Sequence, residues 1–310
     1  MGFPEGGVLN LVGDKSAGKT FLAMETIAAN YYKYKKDFAW NYDDGEEGNT
    51  FDTKALYGIN ITDPDHNYKS RKIEEFDVNC HRFLRKKMRP GKIGLYCIDS
   101  LDGLSDSEKE ERAEIRYKQA ETGKEIKDAG TFGTKAPKFL SQEFFKDKTG
   151  QFKDKNASLI IVSQVRENLD AGSFGKKLKR NGGKALDFYA HTCLWLATWI
   201  KIKKKDIDGT ERQVGVIVEA KTEKSKTPRP YRKCRYIVFF DYGIDNIGTN
   251  LNYLYDCWGD DGKLKKSSQS IPWGGKKEIN LQNLKSFLET HDSYDRCKAD
   301  KKNDTGRSNL

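Results

Sequence analysis

The sequence predicts an α/β protein: a mainly parallel central β-sheet flanked by helices, with a β-hairpin-like extension. Three observations predict it. Short apolar runs of strand character alternate with stretches of helical periodicity, the pattern of β–α–β units. A glycine-rich loop joins the first such strand to the first such helix. After about Gly209 the pattern shifts, and two strand-like runs follow each other across a Lys/Pro-rich connection.

The elements follow in order. Gly7 to Val12 reads as a short buried strand, and Thr20 to Tyr32 has apolar residues at helical spacing. Asp37 to Tyr42 is strand-like and leads into an acidic turn, Asp43-Asp44-Gly45-Glu46-Glu47. Cys80 to Met88 is helix-like, and Arg89-Pro90-Gly91 stops it, because proline cannot continue a helix. Ile93 to Ile98 and Leu159 to Val162 are further strands. Val214 to Ala220 and Cys234 to Phe240 form the hairpin-like extension. Ser105 to Gly130 is polar, with both charge signs interleaved, and reads as a solvated helix or a mobile insertion. The expected organisation is a core over residues 1–258, a small carboxy-terminal segment over 259–298, and a disordered tail over 299–310.

Composition narrows the class. The chain has 310 residues, ample for a buried core. Its net charge of +10 attracts polyanions, nucleic acid first, although lysine-rich surfaces also simply keep proteins in solution. The densest apolar stretch, Thr192 to Ile202, is too short to span a bilayer. The amino terminus lacks the layout of a signal peptide, and its Met-Gly start leads straight into a core-like strand rather than a lipid anchor. The six cysteines lie far apart with no C-x-x-C pair, and there are only four histidines, which speaks against zinc and for a reducing, cytosolic setting. No membrane partner is expected.

One motif carries most of the chemistry. Gly13-Asp14-Lys15-Ser16-Ala17-Gly18-Lys19-Thr20 fits G-x-x-x-x-G-K-[ST], with an apolar strand before it and a helix after. Its glycines let backbone N–H groups turn toward phosphate oxygens, and the following helix adds its positive end. Lys19 would reach the β- and γ-phosphates of ATP, and Thr20 would ligate Mg²⁺. Ile93 to Ser100 supplies the partner strand, with Asp99 at its end to hold the Mg²⁺ shell. Hydrolysis needs a group that orients water. The acidic turn after the second strand offers four carboxylates, whose mutual repulsion would raise one pKa; a solvated turn would look the same. Gln164 follows the strand Leu159 to Ser163, where a neutral amide can both donate and accept and so report a γ-phosphate.

At this point the residues resemble the RecA-type homologous-recombination ATPases, including phage-encoded recombinases. The matching pieces are GFPEGGVLNLVGDKSAGKT, the acidic turn followed by FDTKALYG, LYCIDSLDGL, LIIVSQVREN and GGKALDFYA. They run in order from about Met1 to Trp258, and the last is the most specific to the family. The resemblance implies a RecA-like P-loop NTPase core and a DNA-dependent ATPase. Such a protein binds single-stranded DNA as a filament and promotes homologous pairing and strand exchange with double-stranded DNA, in recombination and repair. By position, Lys19 and Thr20 match the phosphate-loop pair, Asp99 the Walker B aspartate, and Gln164 the residue linking γ-phosphate to a DNA loop. Glu46 matches the catalytic glutamate when counted back from Tyr57-Gly58, whereas counting forward from Lys19 favours Asp43 or Asp44.

The resemblance also implies two DNA-binding loops. The first falls within about 105–137, ahead of Lys138-Phe139-Leu140-Ser141-Gln142. The second spans 166–183. There Phe174-Gly175 resembles the family's apolar residue that inserts between bases. Arg166, Lys176, Lys177, Lys179 and Arg180 would meet phosphates, and Gly182 and Gly183 close the loop. The segment Ala220 to Pro228 resembles the family's lysine segment that reaches a neighbour's ATP, with Lys224 the best match and Lys226 next. Gly259 to His291, with Trp273-Gly274-Gly275 and an amphipathic helix, faintly resembles the stretch after the family's core. In the family an amino-terminal helix and strand dock on the next protomer; this sequence opens almost at the first core strand, which would move self-association to another surface.

Three functions fit: a filament-forming recombinase, a RecA-fold ring helicase, and a non-catalytic recombinase paralogue or mediator. GGKALDFYA and the lysine segment favour the first over the second, and the short amino terminus favours the third. The implied setting is bacterial cytoplasm, at the nucleoid or in an infected host, with single-strand-binding and mediator proteins as further partners.

Overall fold

The computed structural model describes residues 5–105, 121, 139–167, 178–180, 183–226, 231–255, 270–273 and 276–280. Its main sheet runs β2-β3-β4-β1-β6-β7-β8-β9. The strands are β1 (Val8–Gly13), β2 (Phe38–Asp44), β3 (Ile93–Asp99), β4 (Ala157–Glu167), β5 (Leu178–Arg180), β6 (Thr192–Lys205), β7 (Glu211–Ser225), β8 (Lys233–Phe239) and β9 (Gly243–Asp245). From β2 through β6 the neighbours are parallel; from β6 to β9 they are antiparallel. The expected α/β class therefore holds. A separate two-stranded sheet pairs β10 (Ser270–Trp273) with β11 (Lys276–Asn280), inside the proposed carboxy-terminal segment.

The parallel half is buried on both faces. Every residue of β1 is buried, as expected of a strand covered on both sides. On one face α1 (Lys19–Tyr34) and the short α2 (Thr53–Tyr57) place Met24, Ile27 and Tyr57 in one core with Leu9, Leu11, Tyr42, Cys97 and Val162. On the other, α3 (Ile73–Lys86) and α4 (Phe145–Asp154) pack Phe76, Phe83, Phe145 and Phe152 against Val8, Tyr96, Ile98 and Ile161. Helix α3 begins well before the predicted Cys80. Its stripe Ile73–Phe76–Cys80–Phe83–Leu84 is buried, and the Glu75 carboxylate accepts the N–H groups of Arg71 at 2.8 Å and Lys72 at 3.2 Å, fixing its start. The charged residues between those apolar ones hid the first turns from a periodicity reading.

The apolar stretch Thr192–Ile202, too short for a membrane, lies within β6. That strand is the pivot of the sheet, parallel to β1 on one side and antiparallel to β7 on the other. The predicted hairpin is thus part of a four-strand meander, β6 to β9. It is also no free arm. Leu196, Val218, Tyr236 and Val238 form a third core with Ala17 and Phe21, beneath the phosphate loop.

Edge strand β2 is covered rather than open, which blocks pairing with another chain. Asn67 Oδ1 accepts the Tyr42 N–H at 2.8 Å, Tyr68 N–H donates to Asn41 Oδ1 at 2.8 Å, and Lys87 Nζ donates to the Trp40 carbonyl at 2.9 Å. These contacts pin the strand whose end carries the acidic turn. No described helix is long and apolar enough to cross a membrane. Cys80, Cys97 and Cys193 are buried in the core.

The second predicted DNA loop needs a correction. Its ends are regular structure: Val165, Arg166 and Glu167 pair antiparallel with Arg180, Lys179 and Leu178, and α5 (Gly183–Tyr189) follows at once. Arg166, Lys179 and Arg180 therefore sit on a β-ribbon at the loop's root. Phe174, Gly175, Lys176, Lys177 and Gly182 lie outside the described residues, as do most of 105–137, 227–230 and the 299–310 tail.

Candidate nucleotide site

Parallel register brings the site together. Gly13 aligns with Gln164 and Leu196, and Asp44 aligns with Asp99. The carboxyl ends of β1 to β4 thus line one edge of the sheet, where open α/β sheets bind ligands.

The phosphate loop has the backbone its motif requires. Gly18 takes φ 75°, a left-handed conformation open to glycine, and any Cβ on Gly13 would lie 2.6 Å from the Leu196 carbonyl oxygen. No side chain caps α1 and its first turn carries no acidic residue, so the loop fits an anion. Lys19 Nζ donates to the carbonyls of Gly13 at 3.0 Å and Asp14 at 2.8 Å. Burial lowers its pKa, and the nearby carboxylates of Asp99, Glu46, Asp14 and Asp102 oppose that shift.

Thr20 and Asp99 meet as predicted. The Thr20 hydroxyl donates to Asp99 Oδ2 at 2.7 Å, and the Tyr42 hydroxyl donates to the same oxygen at 2.8 Å. Burial raises the Asp99 pKa, while these two hydrogen bonds lower it. A hydroxyl beside a buried carboxylate is a donor set for a hard cation that keeps most of its waters, which fits Mg²⁺.

The acidic turn divides by geometry. Glu46 Oε1 accepts Gln164 Nε2–H at 2.7 Å and also accepts the Ser100 hydroxyl. Asp43 points the other way, into the core under α3, where it accepts the Ser70 N–H at 2.7 Å and the hydroxyls of Ser70 and Tyr96, both at 2.6 Å. Asp44 accepts the Asn49 N–H at 3.1 Å, and Glu47 pairs with exposed Arg71 at 2.7 Å. Only Glu46 of the four is bonded to Gln164 among the contacts described. Repulsion was expected to raise one carboxylate. Asp43 is raised, to about 6, but burial is the leading cause and Asp44 only a minor one.

That shift has a testable sign. Folding raises the Asp43 pKa from 3.8 to about 6, so the native state holds this proton more tightly than the unfolded chain. The stabilisation is present below pH 3.8 and is lost as pH rises through 6. Relative to Asp43→Asn, wild-type unfolding free energy should therefore fall by about 3 kcal/mol between pH 3.5 and 7, measured by urea titration. A difference independent of pH would contradict the burial of this carboxyl.

Two cavities adjoin the loop. One, about 160 Å³, is lined by Thr20, Tyr42, Asp44, Glu46, Asn49 and Asp99 among others. The other, about 580 Å³, has apolar walls from Phe21, Phe51, Val216, Val238 and Phe240, with Lys201 and Gln213 also lining it. An apolar slot with a few polar groups suits a base and sugar. Sequence reading missed Phe51, Phe240, Tyr42 and Asn49. Phe51 stood in the quoted FDTKALYG without a role, and Phe240 reaches the loop only through the β6–β9 meander.

Lys224 and Lys226 are not brought to this site. Lys224 lies beside Cys193 near the start of β6, whereas the loop meets β6 at Leu196, beside Gly13, and at Thr198, whose hydroxyl donates to the Ser16 carbonyl at 3.4 Å. Strand rise separates these levels by roughly 10 to 16 Å. Lys224 Nζ donates instead to the carbonyls of Asp187 and, at 2.8 Å, Phe188, capping α5. Lys226 is exposed, and its N–H donates to the His191 carbonyl at 2.7 Å.

A parallel sheet that sets a phosphate loop beside a buried aspartate at its carboxyl edge defines the P-loop nucleotide-binding class. Comparison with known proteins narrows this further. The RecA N-terminal domain matches residues 1–245. The chain is 26% identical over 296 residues to the chromosomal RecA protein of Lactococcus lactis subsp. lactis, covering 94% of this chain and 68% of that protein. It is 26% identical over 295 residues to RecA of Nitratiruptor sp., covering 94% and 75%. In fold it is similar to the crystal structure of the RadB recombinase, with a TM-score of 0.51 at 15% identity, over 78% of this chain and 91% of that one. The chain belongs to the RecA family, the RecA-type recombination ATPases.

Proposed function

We propose that the protein is a DNA-dependent ATPase that assembles on single-stranded DNA and promotes homologous pairing and strand exchange. One observation carries the reading: Gln164 donates to Glu46 at the nucleotide edge and stands on the strand that runs directly into the β4–β5 ribbon. The residue proposed to sense the γ-phosphate and the root of the predicted DNA loop thus belong to one stretch of backbone.

The chemistry divides among the chain's own groups. Loop amides and Lys19 hold the phosphates. Thr20 and Asp99 would hold Mg²⁺, which would supply positive charge against the phosphates. Glu46 orients the attacking water and takes its proton, with Ser100 and Gln164 fixing its carboxylate. Phe51 and Phe240 flank the base. Gln164 links the phosphate end to 168–177, where Phe174 would wedge between bases while Arg166, Lys176, Lys177, Lys179 and Arg180 neutralise DNA phosphates. Lys224, with Lys226, acts on a neighbouring protomer's nucleotide, since Lys224 is not brought to its own. Residues 1–258 would form the working core. The setting is the bacterial cytoplasm.

The reading makes ATP and DNA reciprocal ligands, because each must favour the state the other favours. A non-hydrolysable ATP analogue should tighten binding of a fluorescent single strand on the order of 10-fold, within the usual range of coupling. Phe174→Ala should weaken that binding while leaving basal turnover intact. Equal affinity for the strand with and without the analogue, by anisotropy at fixed salt, would contradict the linkage.

A further inference from the structure

The turn after β3 touches both groups assigned to hydrolysis. Register between β3 and β4 ends at Ile98 and Ile161, although β4 continues beside β1 as far as Gln164. Beyond the end of β3, therefore, Val162 to Gln164 have β1 as their described strand neighbour, until β5 pairs with Val165 to Glu167. Asp102, in the 3-10 turn Leu101–Gly103, lies on their other side: its Oδ2 accepts the Gln164 N–H at 2.6 Å. The same turn presses on Glu46. A Cβ on Gly103 would lie 2.5 Å from the Gly45 carbonyl oxygen and 2.9 Å from Glu46 Cγ. Gly45 N–H in turn donates to the Asp99 carbonyl at 2.9 Å.

We propose that Asp102 is a positioning residue, which holds the Gln164 backbone where its side chain meets Glu46 and so transmits the nucleotide state into the β4–β5 ribbon. It lies close enough to the site to be sensed by Lys19, but its described bond is to backbone. A charged acceptor on a backbone amide is among the stronger protein hydrogen bonds. Losing it leaves the nucleotide pocket standing and frees the strand end that must move with it.

The inference rests on the coupling named above, and its test does not need DNA. Hydrogen exchange of peptides spanning 164–167 and 178–180 is followed with and without a non-hydrolysable ATP analogue and Mg²⁺, alongside the Kd of the analogue. Wild type should gain protection in these peptides on binding. Asp102→Ala should lose about tenfold of that protection with analogue Kd unchanged within about twofold, and Asp102→Asn, which retains an acceptor oxygen, should recover most of it. Full protection in Asp102→Ala, no protection in wild type, or weakened analogue binding that Asn does not rescue would each overturn the proposal. Protection that behaves as expected in a protein whose turnover ignores DNA would leave Asp102 in its role and remove the recombinase reading instead.

Discussion

Lys19→Ala should abolish ATP turnover, by on the order of 10³-fold, without lowering the melting temperature. The two halves have separate causes. The ammonium is the one side-chain cation of the phosphate loop's G-K-T end, and nothing else there can follow charge onto the β- and γ-phosphates. Its position is not a stable resting place for a cation, because burial lowers its pKa despite the surrounding carboxylates. Removing it therefore relieves desolvation even as two hydrogen bonds to loop carbonyls are lost. Phosphate release and thermal unfolding measured on the same preparation check both halves. The variant also tests Lys224. Lys224→Ala should lose DNA-stimulated turnover on the order of 10- to 100-fold, less than a lone arginine finger contributes because Lys226 lies two residues on. Mixed with Lys19→Ala protein, which has a dead site but an intact Lys224, it should regain turnover. No recovery on mixing would mean that Lys224 does not act across an interface.

Glu46→Gln should lower turnover on the order of 10²- to 10⁴-fold, the usual worth of a general base, while nucleotide binding survives. Glutamine preserves the side-chain length and an oxygen to accept from Ser100 and Gln164, but cannot take a proton from water. Because binding is retained, the ATP-favoured state should persist, and bound single strands should be released more slowly than by wild type. Asp44→Asn, altering the other carboxylate of the acidic turn that lines the smaller cavity, should change turnover far less. Single-turnover kinetics with labelled ATP distinguish the two. If Asp44→Asn is the dead variant and Glu46→Gln turns over normally, the turn has been read in the wrong register.

The phosphate loop, Asp99 and Gln164 were legible because each is a strand ending in a particular residue, and parallel strands align their ends. Glu46 was not legible in that way. Residue counts from two directions disagreed, and only the direction of each carboxylate separated it from Asp43, which faces the core. The early turns of α3 were masked by charge. β6 was hidden because a short apolar run does not by itself separate strand from helix, and its end, Lys203 to Lys205, is exposed and charged. Phe240 and Asp102 were beyond reach for another reason. Each acts on a group far away in sequence, through a strand order or a strand end that only the assembled sheet defines.

In the proposed function one backbone path, through Gln164, ties nucleotide chemistry to DNA. Steady-state ATP turnover with and without single-stranded DNA tests it most directly. DNA should raise the rate of wild type severalfold or more, and Gln164→Ala should lose that increase even where part of its basal turnover remains. A wild-type rate that is the same with and without DNA would contradict it.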